Sequence, residues 1–291
     1  MKEFSYLEPD TVEEALELLD RYRDDAKVIA GGTALVNFMK NELVDVRFVI
    51  GLRRLKALTD MTITEDKGLH IGALTTLHTL ETSPLVATNA PLLTLACRHV
   101  ATIRIRMMAT LGGAIVYADP ALDTPPALIA SDARIEVRSH RATRVIAANN
   151  FFKGIFETAL EPDELVTAIV VPRQPKQSGT AYIKFLPATH DDYATVSVAA
   201  RVALTDGRIS DARIALGSVG PTVVRAANAE VALLGKLAEN DSFVVAAELA
   251  ARDVDPFTDF RGSADYKRRM SAVHVRRALL AATSTISSAV Y

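Results

Sequence analysis

A mixed α/β (α+β) chain folded as two domains is what this sequence predicts, and three observations carry the prediction. Helical and strand-like segments alternate through the first part of the chain. From residue 58 the texture changes to a hairpin-like alternation of apolar and polar residues. A stretch rich in proline, glycine and polar residues, "PRQPKQSGT" (172–180), then separates these segments from a run of paired strands followed by helices. At 291 residues the length prior is roughly two domains, each long enough to bury its own core.

The elements follow in order. Thr11 and Glu14 form a capping-box pattern, and Val12, Ala15, Leu16, Leu19 and Tyr22 recur behind them at helical spacing. "AKVIA" (26–30) reads as a short buried strand broken by Gly31-Gly32. "TALVNFMKNEL" (33–43) has mixed helical character, and "RFVIGL" (47–52) is strand-like. "LTDMTITEDKGLHIGALTT" alternates about an Asp66-Lys67-Gly68 turn, as a β-hairpin does. "SPLVATNAPLLTLACRHV" (83–100) is helical in pattern. "ATIRIRM" (101–107) alternates as a strand and delivers the chain into a second glycine pair, "ATLGG" (109–113). Asp119-Pro120 and Thr124-Pro125 each match a helix start. "ARIEVRS" and "ELVTAIVVP" (164–172) are further strands. Beyond the linker, "TVSVAARVALTDGRISDARIALGSVG" gives strands joined by an Asp206-Gly207 turn, and helical patterns run from Val224 to Leu237 and from Asp265 to Ala282.

Composition excludes several classes. The 33 basic and 35 acidic side chains leave a net charge of −2, which makes no electrostatic case for nucleic acid or an anionic membrane. No apolar run approaches the ~20 residues of a membrane span, and "MKEFSYLEPD" lacks a signal-peptide pattern, so a cytoplasmic home is expected. Cys97 is the only cysteine, too few for a disulfide or for the thiolates of an iron–sulfur cluster. The six histidines (70, 78, 99, 140, 190, 274) show no metal-ligand spacing. Redox chemistry here requires an organic cofactor.

The glycine pairs admit two readings. Glycine before a helix lets backbone N–H groups approach a phosphate with no Cβ in the way, and Thr33 or Thr110 adds a hydroxyl. Gly-Gly is also an ordinary turn. Neither pair fits Gly-x-Gly-x-x-Gly or the Walker pattern. Asp123, downstream of the second pair, suits the hydroxyls of a ribose or ribityl chain, or equally a helix cap.

Four segments taken together, "VIAGGTAL" (28–35), "IGALTT" (71–76), "IRIRMMATLGGAIVYADPALDTPPALIASDA" and "RGSADYKRRM" (261–270), resemble the FAD-binding medium subunit of molybdenum hydroxylases of the carbon monoxide dehydrogenase and xanthine dehydrogenase type. The likeness spans nearly the whole chain in order. It implies a two-lobed FAD-binding domain of the vanillyl-alcohol-oxidase (PCMH) type over 1–173, with lobes of about 1–57 and 58–173. A C-terminal domain of a small sheet with helices would follow over 178–285. It further implies that Ile29, Ala30, Gly31, Gly32, Thr33, Ala34 and Leu35 hold the FAD pyrophosphate. Thr110, Leu111, Gly112, Gly113 and Ala114 would approach the cofactor from the other lobe. Asp123 falls at an FAD-binding acid and Leu165 at a residue packing near the adenine or flavin. "YIKFLPATHDDYATVSVA" is similar to a Lys-containing strand followed by Asp-Tyr-Ala, which puts Lys184 and Tyr193 beside the flavin. The second loop departs from the family: Met107, Met108 and Ala109 replace a common Asn and Arg-Gly, Ala114 a usual Asn, and Tyr117 a frequent His.

The function implied is electron transfer, with no residue of this chain acting on substrate. A molybdenum cofactor on a large subunit and two [2Fe–2S] clusters on a small subunit would feed the FAD, in a dimer of heterotrimers. The acceptor is left open among NAD, a quinone, a carrier protein and oxygen. The rivals are a free-standing flavin oxidoreductase using His190 or Tyr193 as base, and a non-catalytic scaffold that has lost FAD.

Overall fold

A computed structural model describes residues 2–66, 68–187 and 192–288, with Ser287 and Ser288 described by backbone only. The first lobe comprises β1 (Ser5–Leu7), α1 (Val12–Tyr22), β2 (Ala26–Ile29), α2 (Leu35–Lys40) and β3 (Phe48–Gly51). Its three strands pair in parallel in the order β1-β3-β2. Thr11 caps α1 by accepting from the Glu14 N–H at 3.1 Å. Val12, Ala15, Leu16 and Leu19 turn inward as one stripe.

The second lobe begins with β4 (Met61–Ile63) and β5 (Leu69–Gly72), the foreseen hairpin, whose Lys67 lies outside the described residues. Six helices follow: α3 (Leu77–Thr82), α4 (Pro84–Asn89), α5 (Pro91–Arg98), α6 (Ile103–Met108), α7 (Leu111–Tyr117) and α8 (Thr124–Ala130). Then come β6 (Arg134–Arg138), β7 (Thr143–Ala147), the single turn α9 (Ala148–Phe151), β8 (Phe152–Gly154), β9 (Glu157–Thr158) and β10 (Leu165–Val171). The main sheet has the order β4-β5-β10-β6-β7, and β8 and β9 form a separate ribbon. Leu69, Ile71, Ile135, Val137 and Ile169 of the sheet pack on Leu77, Leu93, Leu111, Ile115 and Leu128 of the helices.

Two expectations fail here. "ATIRIRM" is not a strand but the start of α6. Its alternation does not point the isoleucines inward: Ile103 and Ile105 are exposed, while Arg106 turns in to bond Glu81 at 2.8 Å and the carbonyls of Val100 and Ala101. Asp119-Pro120 starts no helix; Asp119 Oδ1 accepts the Ala121 N–H at 2.8 Å and closes a turn.

The C-terminal part contains β11 (Ser178–Phe185), β12 (Val196–Thr205), β13 (Arg208–Gly217), β14 (Val224–Arg225), α10 (Ala227–Leu233), α11 (Asn240–Asp253) and α12 (Ala264–Ser288). The sequence reading did not anticipate α11. The sheet is an antiparallel meander covered on both faces, so β12 is buried from Val196 through Ala203 rather than on alternate residues. Tyr182, Ala199 and Ala215 face α5 and α8 of the second lobe. Val198, Ala200, Ile214 and Leu216 face α10–α12. At the junction, Asp132 accepts from Arg201 and Arg213 at 2.9 Å each, and Arg201 also reaches Asp211 at 2.8 Å. Among the described residues no helix is long and apolar enough to cross a membrane.

His274 on α12 stacks on Phe185 of β11 at 4.5 Å between ring centroids, and burial together with the nearby Arg277 cation pushes its pKa down to about 4. The unfolded chain therefore takes up a proton near pH 6.5 that the folded chain refuses until about pH 4. Stability is full above that window and falls as pH drops through it. Denaturant melts are expected to show a loss of about 2 kcal/mol from pH 7 to pH 5, flattened in His274→Phe.

Candidate functional site between the lobes

β2 ends at Ile29, and the chain needs five residues before α2 begins. Gly32 adopts φ +72° to make the turn. The N–H groups of Gly31, Gly32, Thr33, Ala34 and Leu35 find no protein acceptor among the described residues, and all five residues are half-buried. Open donors at the head of a helix are what a phosphate requires. Gly31 is fixed by contact: a Cβ there would lie 1.8 Å from the Met108 carbonyl oxygen of the second lobe.

The second glycine pair is built differently. Thr110 caps α7, its hydroxyl accepting the Gly113 N–H at 3.1 Å. Leu111 and Gly112 donate to the carbonyls of Thr75 and Ala73 at 2.9 and 2.8 Å, and Ala114 donates to Thr110 O. A Cβ on Gly112 would strike Ala73 at 2.7 Å. This loop is therefore stitched to "IGALTT", and its amides are already engaged. What it turns toward the other loop is a helix face, Thr110, Gly113, Ala114 and Tyr117, with Gly113 next to Ala30.

Aromatic rings continue this face. Phe38 of α2, Tyr117 of α7 and Phe156 of the β8–β9 turn meet with centroids 5.3–5.6 Å apart. Tyr193 lies beside Tyr117, half-exposed, and burial pushes both phenols above their ordinary range. Such phenols stay protonated and make poor bases. His190 lies outside the described residues.

Asp123 and Lys184 meet each other. Asp123 occupies the N-cap position of α8 but makes no capping bond. Its Oδ2 accepts from Lys184 Nζ at 2.9 Å and its Oδ1 from the Tyr182 hydroxyl at 2.6 Å. Lys184 also donates to His99 O at 2.8 Å. Both side chains are almost wholly covered, 3% exposed for Lys184 and 5% for Asp123. Burial pushes the Asp123 carboxyl up, against the pull of Lys184 and Tyr182. Leu165 is elsewhere: it lies with Leu74 in the core of the first lobe, against Leu16, Leu19 and Leu52. Tyr182 was missed in the sequence, although it sits two residues from Lys184 on one strand face, a period-two signal. Phe38 and Phe156 carry no such signal.

Two lobes with open amides at their junction, closed by a third sheet, define a nucleotide-cofactor-binding protein. Residues 2–174 match the family described as the FAD binding domain in molybdopterin dehydrogenase, and residues 181–282 match the CO dehydrogenase flavoprotein C-terminal domain. The carbon monoxide dehydrogenase medium chain of Hydrogenophaga pseudoflava is 35% identical over 96% of this chain and 96% of its own. The nicotine 6-hydroxylase medium subunit of Paenarthrobacter nicotinovorans is 33% identical over 95% of this chain and 96% of its own. A solved structure of the Hydrogenophaga pseudoflava carbon monoxide dehydrogenase superposes with a TM-score of 0.94 at 36% identity, covering 97% of this chain and 98% of that one. The chain belongs to the FAD-binding medium-subunit family of molybdenum hydroxylases, and its role is that of an oxidoreductase flavoprotein subunit.

Two substitutions probe this geometry. Gly31→Ala is expected to push the loop off the second lobe and weaken FAD binding at least about tenfold, read by fluorescence titration, with the far-UV spectrum unchanged. Asp123→Ala leaves Lys184 buried without its counter-charge and is expected to cost about 3–5 kcal/mol of stability in denaturant melts. Lys184→Met in the same chain is expected to recover most of that loss.

Proposed function

We propose that this chain is the FAD-holding subunit of a cytoplasmic molybdenum hydroxylase complex. Its partners would be a large subunit with the molybdenum cofactor and a small subunit with two [2Fe–2S] clusters, assembled as a dimer of heterotrimers. The observation that carries the reading is the row of five open amides at Gly31–Leu35, set against the second lobe where a diphosphate would lie. Full-length similarity to proteins named medium chain or medium subunit supports it. FAD supplies the electron-transfer chemistry when bound.

The sixteen sequence-predicted residues then divide by task. Ile29 to Leu35 bind and orient the diphosphate through backbone donors. The face of Thr110, Gly113 and Ala114 closes the other side, with Leu111 and Gly112 anchoring it to the second sheet. Tyr193 presents its half-exposed ring to the flavin. Asp123, Lys184 and Leu165, nearly covered by protein, fix the elements around them. The domains fall at 1–173 and 178–285.

A free-standing oxidase would want a base over the flavin, and the protonated phenols of Tyr117 and Tyr193 do not provide one. The test is a visible spectrum and a turnover assay on the chain alone and with its large and small subunits. A flavin band with no turnover until both subunits are added is expected. Turnover by the isolated chain would contradict the reading, and a colourless chain that rejects added FAD would favour a scaffold.

A further inference from the structure

The segment "RGSADYKRRM" (261–270) has no part in the site so far. Its first residue, Arg261, nonetheless reaches Tyr193. The guanidinium carbon sits 5.7 Å from the Tyr193 ring centroid and 4.2 Å from that of Phe260. One terminal nitrogen donates to Asp192 Oδ1 at 3.0 Å. The same carboxylate oxygen accepts the Tyr193 N–H at 2.6 Å. Arg261 is mostly covered, and its buried Nε has no partner among the described residues.

These contacts form a clasp. Asp192 ties the Tyr193 backbone to Arg261, and the cation stands over the Tyr193 ring within cation–π range, so both the main chain and the side chain are oriented from one residue. The ring remains half-exposed. Arg261 itself is held close by: its N–H is accepted by Asp259 Oδ1 at 2.9 Å, and Asp259 is fixed by Lys267 at 2.7 Å. Lysine could not replace the arginine, because an ammonium offers no flat face to set over the Tyr193 and Phe260 rings.

We propose that Arg261 is a positioning residue for the flavin: it sets the angle at which Tyr193 meets the isoalloxazine ring. This rests on the placement of Tyr193 at the flavin proposed above. Arg261 makes no contact of its own with the cofactor in this account. It acts through Asp192 and the tyrosine ring.

The test uses the full chain titrated with FAD, following the dissociation constant, the visible circular dichroism of the bound flavin, and the melting temperature of the FAD-free chain. Arg261→Met is expected to weaken FAD about fivefold and change the flavin dichroism, with the melting temperature nearly unmoved. Arg261→Lys is expected to behave like Arg261→Met. Asp192→Asn, at a half-exposed side chain that tolerates change, is expected to shift the dichroism in the same direction. It keeps the test decisive where Arg261→Met folds poorly. In a Tyr193→Ala background, Arg261→Met is expected to add nothing further.

Unchanged dichroism and affinity in both Arg261→Met and Asp192→Asn, with Tyr193→Ala strongly altered, would overturn the inference and leave the site reading intact. Unchanged flavin properties in Tyr193→Ala would overturn the site reading itself. A drop in melting temperature with no change in the flavin signals would reduce Arg261 to a structural role.

Discussion

The close approach of Gly31 to the Met108 carbonyl is the contact on which the rest of the site depends. It brings the head of the first lobe's helix against the second lobe with no side chain between them. Any larger residue would wedge the two apart. Because the approach is backbone to backbone, the loop can spend its own amides outward, and they remain open. The lobes are also joined by Leu74 and Leu165, which enter the first core from the second lobe, by Phe38 packed against Tyr117 and Phe156, and by rim ion pairs such as Arg138–Glu13 and Arg141–Asp20. Exposed pairs of that kind contribute little, so the apolar and aromatic contacts and the glycine approach carry the alignment.

The C-terminal domain is held to this frame by a different device. A buried Asp123–Lys184 pair, completed by Tyr182 and the His99 carbonyl, joins α8 and the end of α5 to β11. Burying such a pair is costly in isolation and tolerable only with its hydrogen bonds filled, as they are here. Its benefit is geometric: the Phe185 carbonyl at the end of β11 accepts the Thr195 N–H at 2.9 Å, two residues from Tyr193, so fixing the strand fixes the base on which that ring stands.

Much of this was legible in the residue string. The capping box at Thr11, the hairpin of β4 and β5 and the meander about Asp206-Gly207 are local patterns with local causes, and they folded as read. The strand expected at "ATIRIRM" failed because alternation over so few residues fits a helix whose inward residue is an arginine satisfied by carbonyls. The two glycine pairs look alike as sequence and differ in kind. The Gly113 amide is taken by the local Thr110 cap, but only the turn that follows β5, at Ala73 to Thr75, engages the amides of Leu111 and Gly112, and no spacing in the chain reveals that. Asp123 matched a helix-cap position, yet its carboxylate goes to residues 59 and 61 positions away, a contact set by packing of the domains.

The difference between the two loops gives the most direct test of this account. Amide hydrogen exchange, followed residue by residue with and without FAD, reads the donors themselves. The account predicts that Gly31 to Leu35 exchange quickly in the FAD-free chain and become protected on FAD binding. Leu111 to Ala114 should be protected in both states. Slow exchange at Gly31–Leu35 without FAD, or FAD-dependent protection confined to Leu111–Ala114, would contradict it.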